Sequence, residues 1–296
     1  MPLVLALAGS EAIADGLARG LSAERGQASM RRFPDGETYV RIETPVSGRS
    51  VVLICTLSRP DDKVLPLLFL AATARDLGAA RVGLVAPYLA YMRQDRRFEP
   101  GEGVTSKYFA DLLSRAVDWL VTVDPHLHRR ASLQEIYSIP TSVVSAAPAI
   151  SEWIRSEVRR PVMVGPDAES LQWVRAVAEG AGVPFTVLEK VRRGDRDVEV
   201  SVPQVGQWRD HTPVLVDDII STARTMLTTI DHLKLASLPP PVCIGVHAVF
   251  ADTAYEELRA RGAARVVTCN TIPHPSNTID VLPHVAAAVR LALADD

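Results

Sequence analysis

Apolar residues recur along this chain in short, β-branched runs separated by longer stretches of helical period. The runs are Val4–Ala8, Val51–Cys55, Val82–Ala86, Trp119–Val123, Val162–Gly165, Phe185–Glu189, Val214–Val216, Cys243–Val249 and Val266–Cys269. Most are apolar without alternation, the pattern of strands buried on both faces. Helices are expected between them. Asp61-Asp62 caps one that stops at Gly78, Thr105 caps one through Ala116, and Glu169 to Glu179 forms another stopped by Gly180 and Gly182. Strands alternating with helices predict an α/β fold, with mainly parallel sheets flanked by helices.

Repetition is slight. Gly78-Ala79-Ala80-Arg81-Val82 recurs as Gly262-Ala263-Ala264-Arg265-Val266, each copy closing a helix and opening a strand. Two readings are open. The echo marks a tandem pair of similar domains, or it is the common look of a helix–Gly–strand junction. The 296 residues suit two domains of ordinary length. The Ser/Ala/Pro stretch Ser142 to Ala149 places the boundary, giving domains of 1–145 and 146–296.

Composition then narrows the class. A hydrophobic fraction of 47% with 23% charged residues is that of an ordered globular protein. The net charge of −3 gives no bulk drive toward nucleic acid or an anionic membrane. The apolar start Met1 to Ala8 is short and lacks a basic leader, so it reads as a buried strand rather than a signal. Leu65 to Ala74 comes nearest to a membrane span, and Pro66, Thr73 and Arg75 make it a core helix. Cys55, Cys243 and Cys269 lack metal-ligand spacing and read as small core residues in a reducing, cytoplasmic setting.

Ligands of α/β sheets bind beyond the carboxyl ends of the strands. The richest such end is Val214–Thr225. A buried strand runs into Asp217 and Asp218, then Ser221, Thr222, Ala223, Arg224 and Thr225, then the helix Met226 to Leu235. Hydroxyls and N–H groups at a helix N-terminus cradle phosphate, and the upstream carboxylates accept from sugar hydroxyls. The plainer alternative is a helix cap, which needs only one carboxylate. The pattern resembles the ribose-phosphate loop of the phosphoribosyltransferase superfamily.

Further segments sharpen the resemblance. Arg32-Phe33-Pro34-Asp35-Gly36-Glu37, Tyr91 to Arg97, Val123-Asp124-Pro125-His126 and Gly165-Pro166-Asp167 precede that loop. Asn270-Thr271-Ile272 and Ser276-Asn277 follow it. In this order they resemble the ribose-phosphate pyrophosphokinase family over essentially the whole chain. Pro100-Gly101-Glu102 and Thr105-Ser106-Lys107 look closest to its archaeal-type branch.

The resemblance implies two phosphoribosyltransferase-like domains with the site between them. It implies transfer of the β,γ-pyrophosphoryl group of ATP to the 1-hydroxyl of ribose 5-phosphate, leaving AMP, with magnesium (Mg2+) as cofactor. Arg93, Gln94 and Asp95 match its ATP segment. Phe33, Asp35 and Glu37 match residues that reach the adenine from a neighbouring subunit, so a homodimer or larger homo-oligomer is implied. His126 and Asp167 match its metal ligands, and Lys190 and Arg192 its mobile catalytic loop. Without the resemblance, these segments read as a solvated charge run, a Pro-Asp-Gly turn, a structural histidine and a surface hairpin.

Two positions depart from the pattern. Asp167 is followed by Ala168-Glu169 where paired glycines are usual, and Arg224 stands where the sugar-phosphate loop carries glycine. Arg224 either adds a cation to the 5-phosphate or obstructs the loop. Two rival classes therefore stay open: a non-catalytic regulatory homologue that binds nucleotide or an active partner, and a phosphoribosyltransferase.

Overall fold

The computed structural model describes residues 1–127, 129–165, 171–192, 198–201 and 205–294. The chain divides into two compact units. The first comprises Met1–Ser145, Thr271–Pro273 and Val281–Asp296, and the second Ala146–Asn270 and His274–Asp280.

The first unit begins β1 (Leu3–Ala6), α1 (Glu11–Leu21) and β2 (Glu24–Arg25). An antiparallel hairpin of β3 (Ala28–Arg32) and β4 (Thr38–Ile42) follows. Then come β5 (Ser50–Ile54), α2 (Asp61–Asp76), β6 (Arg81–Ala86), α3 (Thr105–Ala116), β7 (Trp119–Val123) and β8 (Thr141–Val144). The sheet is parallel, in the order β2-β1-β5-β6-β7-β8. Its central strands are buried on both faces, which is why they read as unbroken apolar runs. Gly83 in β6 lets the ring of buried Trp119 lie directly on the backbone; a Cβ there would fall 1.9 Å from Cε2. Gly78 ends α2 in the left-handed region, at φ 87°, while the next N–H, of Ala79, bonds back to the Ala74 carbonyl at 2.9 Å.

The second unit runs α4 (Ala147–Glu157), β9 (Pro161–Gly165), α5 (Leu171–Ala181), β10 (Phe185–Val187) and the antiparallel pair β11 (Glu189–Arg192) and β12 (Val198–Ser201). It continues with α6 (Val205–Trp208), β13 (Thr212–Ile220), α7 (Arg224–Leu235), β14 (Val242–Ala248), α8 (Ala254–Arg261), β15 (Arg265–Cys269) and β16 (Asn277–Ile279). Its sheet is also parallel, in the order β10-β9-β13-β14-β15-β16. The last helix, α9 (Leu282–Ala294), groups with the first unit. Gly16 and Gly20 of α1 leave room for Leu282 and Ala286, and Arg290 Nη1 donates to the Gly20 carbonyl at 2.7 Å.

The two sheets have one wiring. In each, the chain starts one place in from an edge, adds the edge strand, and makes an antiparallel hairpin. It then crosses to the far side of its first strand and adds strands outward. The hairpin β3-β4 of the first unit thus corresponds to β11-β12 of the second. The five-residue echo does not follow this equivalence. It introduces the fourth strand of one sheet and the fifth of the other, so it is a junction likeness. In each unit the topological switch point lies between the first strand and the strand after the hairpin, at β1/β5 and at β9/β13.

Candidate active site

In the second unit the switch point carries the Asp217-Asp218 segment. β13 runs on to Ile220, so both carboxylates lie within the strand, each half-buried at its carboxyl end. The Ile219 N–H donates to Asp218 Oδ1 at 2.8 Å. Ser221 and Thr222 then lead to Ala223, whose φ of 55° is left-handed. This is the position where the loop needs glycine-like freedom. Arg224, the residue that departs from the expected glycine, is the first residue of α7, has no positive φ, and is exposed. Its guanidinium has no acidic partner among the described residues. The first turn of α7 holds no acidic residue and no side chain caps it, and Leu227 is the first N–H to bond back, to the Ala223 carbonyl at 2.9 Å. The preceding N–H groups therefore face the loop as donors. Thr222 and Thr225 are exposed and Ser221 half-buried.

Asp167, with Pro166 and Glu169, lies outside the described residues. Lys190 and Arg192 sit in β11, opposite Val200 and Val198; their side chains lie outside the described part. The Asn270 and Ser276-Asn277 segments are occupied in holding the loop after β15. Asn277 Nδ2 donates to Thr268 Oγ1 at 2.8 Å and to the Cys269 carbonyl at 2.9 Å, and Asn270 Nδ2 donates to Asp280 at 2.7 Å.

In the first unit the chemistry gathers at the ends of β6 and β7. Val123, at the end of β7, donates its N–H to the Pro87 carbonyl at 3.3 Å, which draws the two following loops together. After β6 the chain passes Tyr91, left-handed at φ 61°. Its hydroxyl is hydrogen-bonded to Asp61, and that bond, with burial and the carboxylate charge, pushes the phenol up to about 12. Arg93 is exposed. Gln94 is half-buried and accepts from Thr105 Oγ1 at 3.0 Å, at the start of α3. Asp95 turns inward onto Arg129. After β7, Asp124 and His126 are both left-handed, at φ 31° and 56°, and the His126 N–H donates to the Asp124 carbonyl at 2.9 Å. Non-glycine residues in this region cost roughly 1–3 kcal/mol each and gather where a site needs them.

Phe33, Asp35 and Glu37 form the tip of the β3-β4 hairpin. The Phe33 N–H donates to the Glu37 carbonyl at 2.8 Å, and Asp35 Oδ1 accepts from the Glu37 N–H at 3.2 Å. Phe33 is 38% exposed, large for an aromatic ring, and both carboxylates face solvent. Arg31 lies 4.8 Å from the Phe33 ring centre and 4.4 Å from that of Tyr39, its cross-strand partner. A groove of about 410 Å³ opens between α2 and α3, lined by Leu65, Tyr91, Tyr108, Phe109 and Leu112 among others.

Among the described residues, no group of three or more His, Cys, Asp or Glu forms a ready-made metal cage. Magnesium on nucleotides keeps its waters and phosphate oxygens and needs only one or two protein groups. The acceptors at the strand ends, with His126 held in its tight turn, fit that sparser mode. No described helix is long and apolar enough to cross a membrane. Cys55, Cys243 and Cys269 are free and buried.

The sequence alone gave no sign of the left-handed turns at Tyr91, Asp124, His126 and Ala223, since none is glycine. The Asp61–Tyr91 and Asp95–Arg129 pairs were equally hidden; only the basic pair Arg129-Arg130 just after His126 hints at the second.

Comparison with known proteins places these features in a family. Residues 3–116 match the N-terminal domain of ribose phosphate pyrophosphokinase, and residues 132–283 match the phosphoribosyl transferase domain. A ribose-phosphate pyrophosphokinase from Methanopyrus kandleri is 35% identical over 292 residues, covering 97% of this chain and 99% of that protein. One from Sulfurisphaera tokodaii is 32% identical, covering 87% of this chain and 89% of that protein. In fold, the chain is similar to the crystal structure of phosphoribosylpyrophosphate synthetase from Mycobacterium smegmatis, with a TM-score of 0.84 and 24% identity over 100% of this chain and 99% of that one. With matched domains across most of its length and such relatives end to end, the chain belongs to the ribose-phosphate pyrophosphokinase family.

Proposed function

We propose that the protein is a ribose-phosphate diphosphokinase, converting ATP and ribose 5-phosphate to phosphoribosyl pyrophosphate and AMP. The observation that carries this is the end-to-end likeness to ribose-phosphate pyrophosphokinases, in a chain that has both an ATP segment and a ribose-phosphate loop. A phosphoribosyltransferase has no use for the hairpin tip at Phe33 or the segment at Arg93. A merely regulatory role drew on Glu169 and Arg224; Glu169 lies outside the described residues, and the left-handed position of the sugar-phosphate loop is Ala223 rather than Arg224.

In this reading the sugar 1-hydroxyl oxygen attacks the β-phosphorus of ATP. The bond from that phosphorus to the oxygen it shares with the α-phosphorus breaks, AMP departs with that oxygen, and the hydroxyl proton is released. Most of the catalysis is positioning and charge neutralisation. Asp217 and Asp218 accept from the ribose hydroxyls. Ser221, Thr222, Ala223, Arg224 and Thr225 hold the 5-phosphate through hydroxyls, N–H groups and one guanidinium. Arg93 meets ATP phosphates and Gln94 the adenine side, with Asp95 in the same segment. Phe33 stacks on adenine while Asp35 and Glu37 accept from its amino group, all three from a second copy. Lys190 and Arg192 neutralise the transferring group.

Magnesium would be held by His126 and Asp167 and would supply further charge neutralisation on the polyphosphate. The exposed hairpin tip and the apolar groove beside Tyr91 favour a homodimer or larger homo-oligomer with a shared ATP site. Buried free thiols suit a reducing, cytoplasmic setting. Neither nucleic acid nor a membrane is a partner in this reading. The test is to incubate protein, both substrates and magnesium and follow AMP. AMP forms only when ribose 5-phosphate is present; formation no faster than with Lys190→Ala would sink the reading.

A further inference from the structure

An inward-turned carboxylate, that of Asp95, bridges the loops after β6 and β7. Asp95 lies in the charged run Arg93 to Arg97, yet its side chain is only 5% exposed. Arg129 Nη1 donates to both of its oxygens, at 3.1 and 3.3 Å. Arg130 Nη2 donates to the Asp95 carbonyl at 3.0 Å and lies 3.4 Å from Ser106 Oγ, at the start of α3. The Arg129 guanidinium also lies 5.6 Å from the ring centre of Phe98, which takes Arg96 at 5.0 Å. Phe98 in turn belongs to a closed loop: its N–H donates to Glu102 Oε2 at 2.7 Å.

Removing a carboxylate from water costs free energy unless it is hydrogen-bonded, and the two bonds from Arg129 hold Asp95 in place. What they join matters. Asp95 directly follows Gln94, and Arg129 stands three residues after His126. His126 is in a left-handed turn that persists only where the surroundings fix it. Gln94 is itself anchored to Thr105.

We infer that Asp95 and Arg129 are positioning residues that lock the ATP segment and the His126 turn into one frame. Asp95 serves nucleotide binding through Arg129 rather than by touching ATP. The pair makes the nucleotide subsite and the metal-binding turn form together, while the ribose-phosphate loop of the other unit is independent of it. This rests on the function proposed above.

The experiment uses the whole protein and the magnesium complex of α,β-methylene ATP, which lacks the scissile bridging oxygen. Calorimetry measures its binding to wild type, Asp95→Asn, Arg129→Met and the double variant, with ribose 5-phosphate binding as the internal control. Each single variant is expected to weaken analogue binding about tenfold, and the double variant no further, since one coupled interaction is lost once. The magnesium concentration needed for half-maximal analogue binding rises in both. Ribose 5-phosphate binding stays within about twofold of wild type. Arg129→Lys, which keeps the charge but not the fork, falls between, and it serves if Arg129→Met does not fold. Unchanged analogue binding in the single variants, additive losses in the double variant, or an equal loss for ribose 5-phosphate overturns the inference. A wild-type protein that binds no analogue overturns the proposed function itself, a separate result.

Discussion

Replacing Arg224 with glycine separates two opposite readings of the sugar-phosphate loop. If the guanidinium serves the 5-phosphate, Arg224→Gly weakens the enzyme; if it obstructs the loop, the same change improves it. The geometry favours the first. The left-handed residue is Ala223, at φ 55°, so glycine at 224 supplies no freedom that the backbone needs. Arg224 opens α7, and side chains in a first turn lean toward the helix N-terminus, where an anion would sit. A cation at that end is unfavourable by about 0.3–1 kcal/mol unless an anion is present. Glycine in a first turn costs at most about 1 kcal/mol, so the two effects nearly cancel and the unliganded stability stays within about 0.5 kcal/mol.

A charge-assisted hydrogen bond to phosphate is worth about 1.5–3 kcal/mol, which is roughly a 10- to 150-fold rise in KM for ribose 5-phosphate. The KM for ATP should not move, and the loss should shrink as salt is added. AMP formation at varied ribose 5-phosphate, ATP and salt, with thermal unfolding in parallel, measures these effects. An unchanged or lower KM for ribose 5-phosphate in Arg224→Gly would refute this reasoning.

Other expectations follow from separate parts of the molecule. Gly83→Ala places a Cβ 1.9 Å from the Trp119 ring, so it should destabilise by about 3 kcal/mol or more, and Trp119→Leu in the same chain should recover part of that in urea unfolding. Ala223→Gly should stabilise by about 0.5–1 kcal/mol by relieving a left-handed alanine, read as a higher unfolding midpoint. Arg31→Ala frees the Phe33 ring and should raise the KM for ATP severalfold with kcat little changed, while Arg31→Lys retains much of the effect. Burial pushes the Cys55 and Cys243 thiols from 9.0 to about 12. Their folded values exceed the unfolded ones, so their contribution to stability is whole below pH 9 and is lost as pH rises toward 12. Native protein at pH 8 should not react with a thiol reagent at either position until unfolded.

The central strands were legible because they are buried on both faces. Trp119–Val123 has the predicted bounds, and the runs at Val51, Val82, Val162 and Val266 are within one residue of theirs. The elements that escaped are those without such a signal. β2 has two residues, β8 and β16 are edge strands, and the β3-β4 hairpin is half polar because it lies off the sheet. β13 runs past the expected Val216 because its polar end still pairs with β14, as at Ile219 opposite His247. The Ser142–Ala149 stretch, where the boundary was expected, holds the end of β8 and the start of α4, and the units divide there between Ser145 and Ala146. The last helix joined the first unit through Gly16 and Gly20, a packing match across the length of the chain that no local pattern encodes.

For the site, residue types pointed to the loops, and order along the chain pointed to the family. Conformation was another matter. Nothing in the letters distinguishes Asp95, facing Arg129, from Arg93, facing water, because both sit in one charged run. Nor does the sequence say that the loop's left-handed residue is Ala223 rather than Arg224. Of the two alternatives left open for Arg224, that difference favours the phosphate ligand over the obstruction.

The most direct measurement is to follow the phosphorus atoms. With ATP labelled at the γ-phosphate, ribose 5-phosphate and magnesium, the label is expected in a sugar 1-pyrophosphate, with an equal amount of unlabelled AMP and no ADP. Formation of ADP, or label released only as inorganic phosphate, would contradict the proposed function.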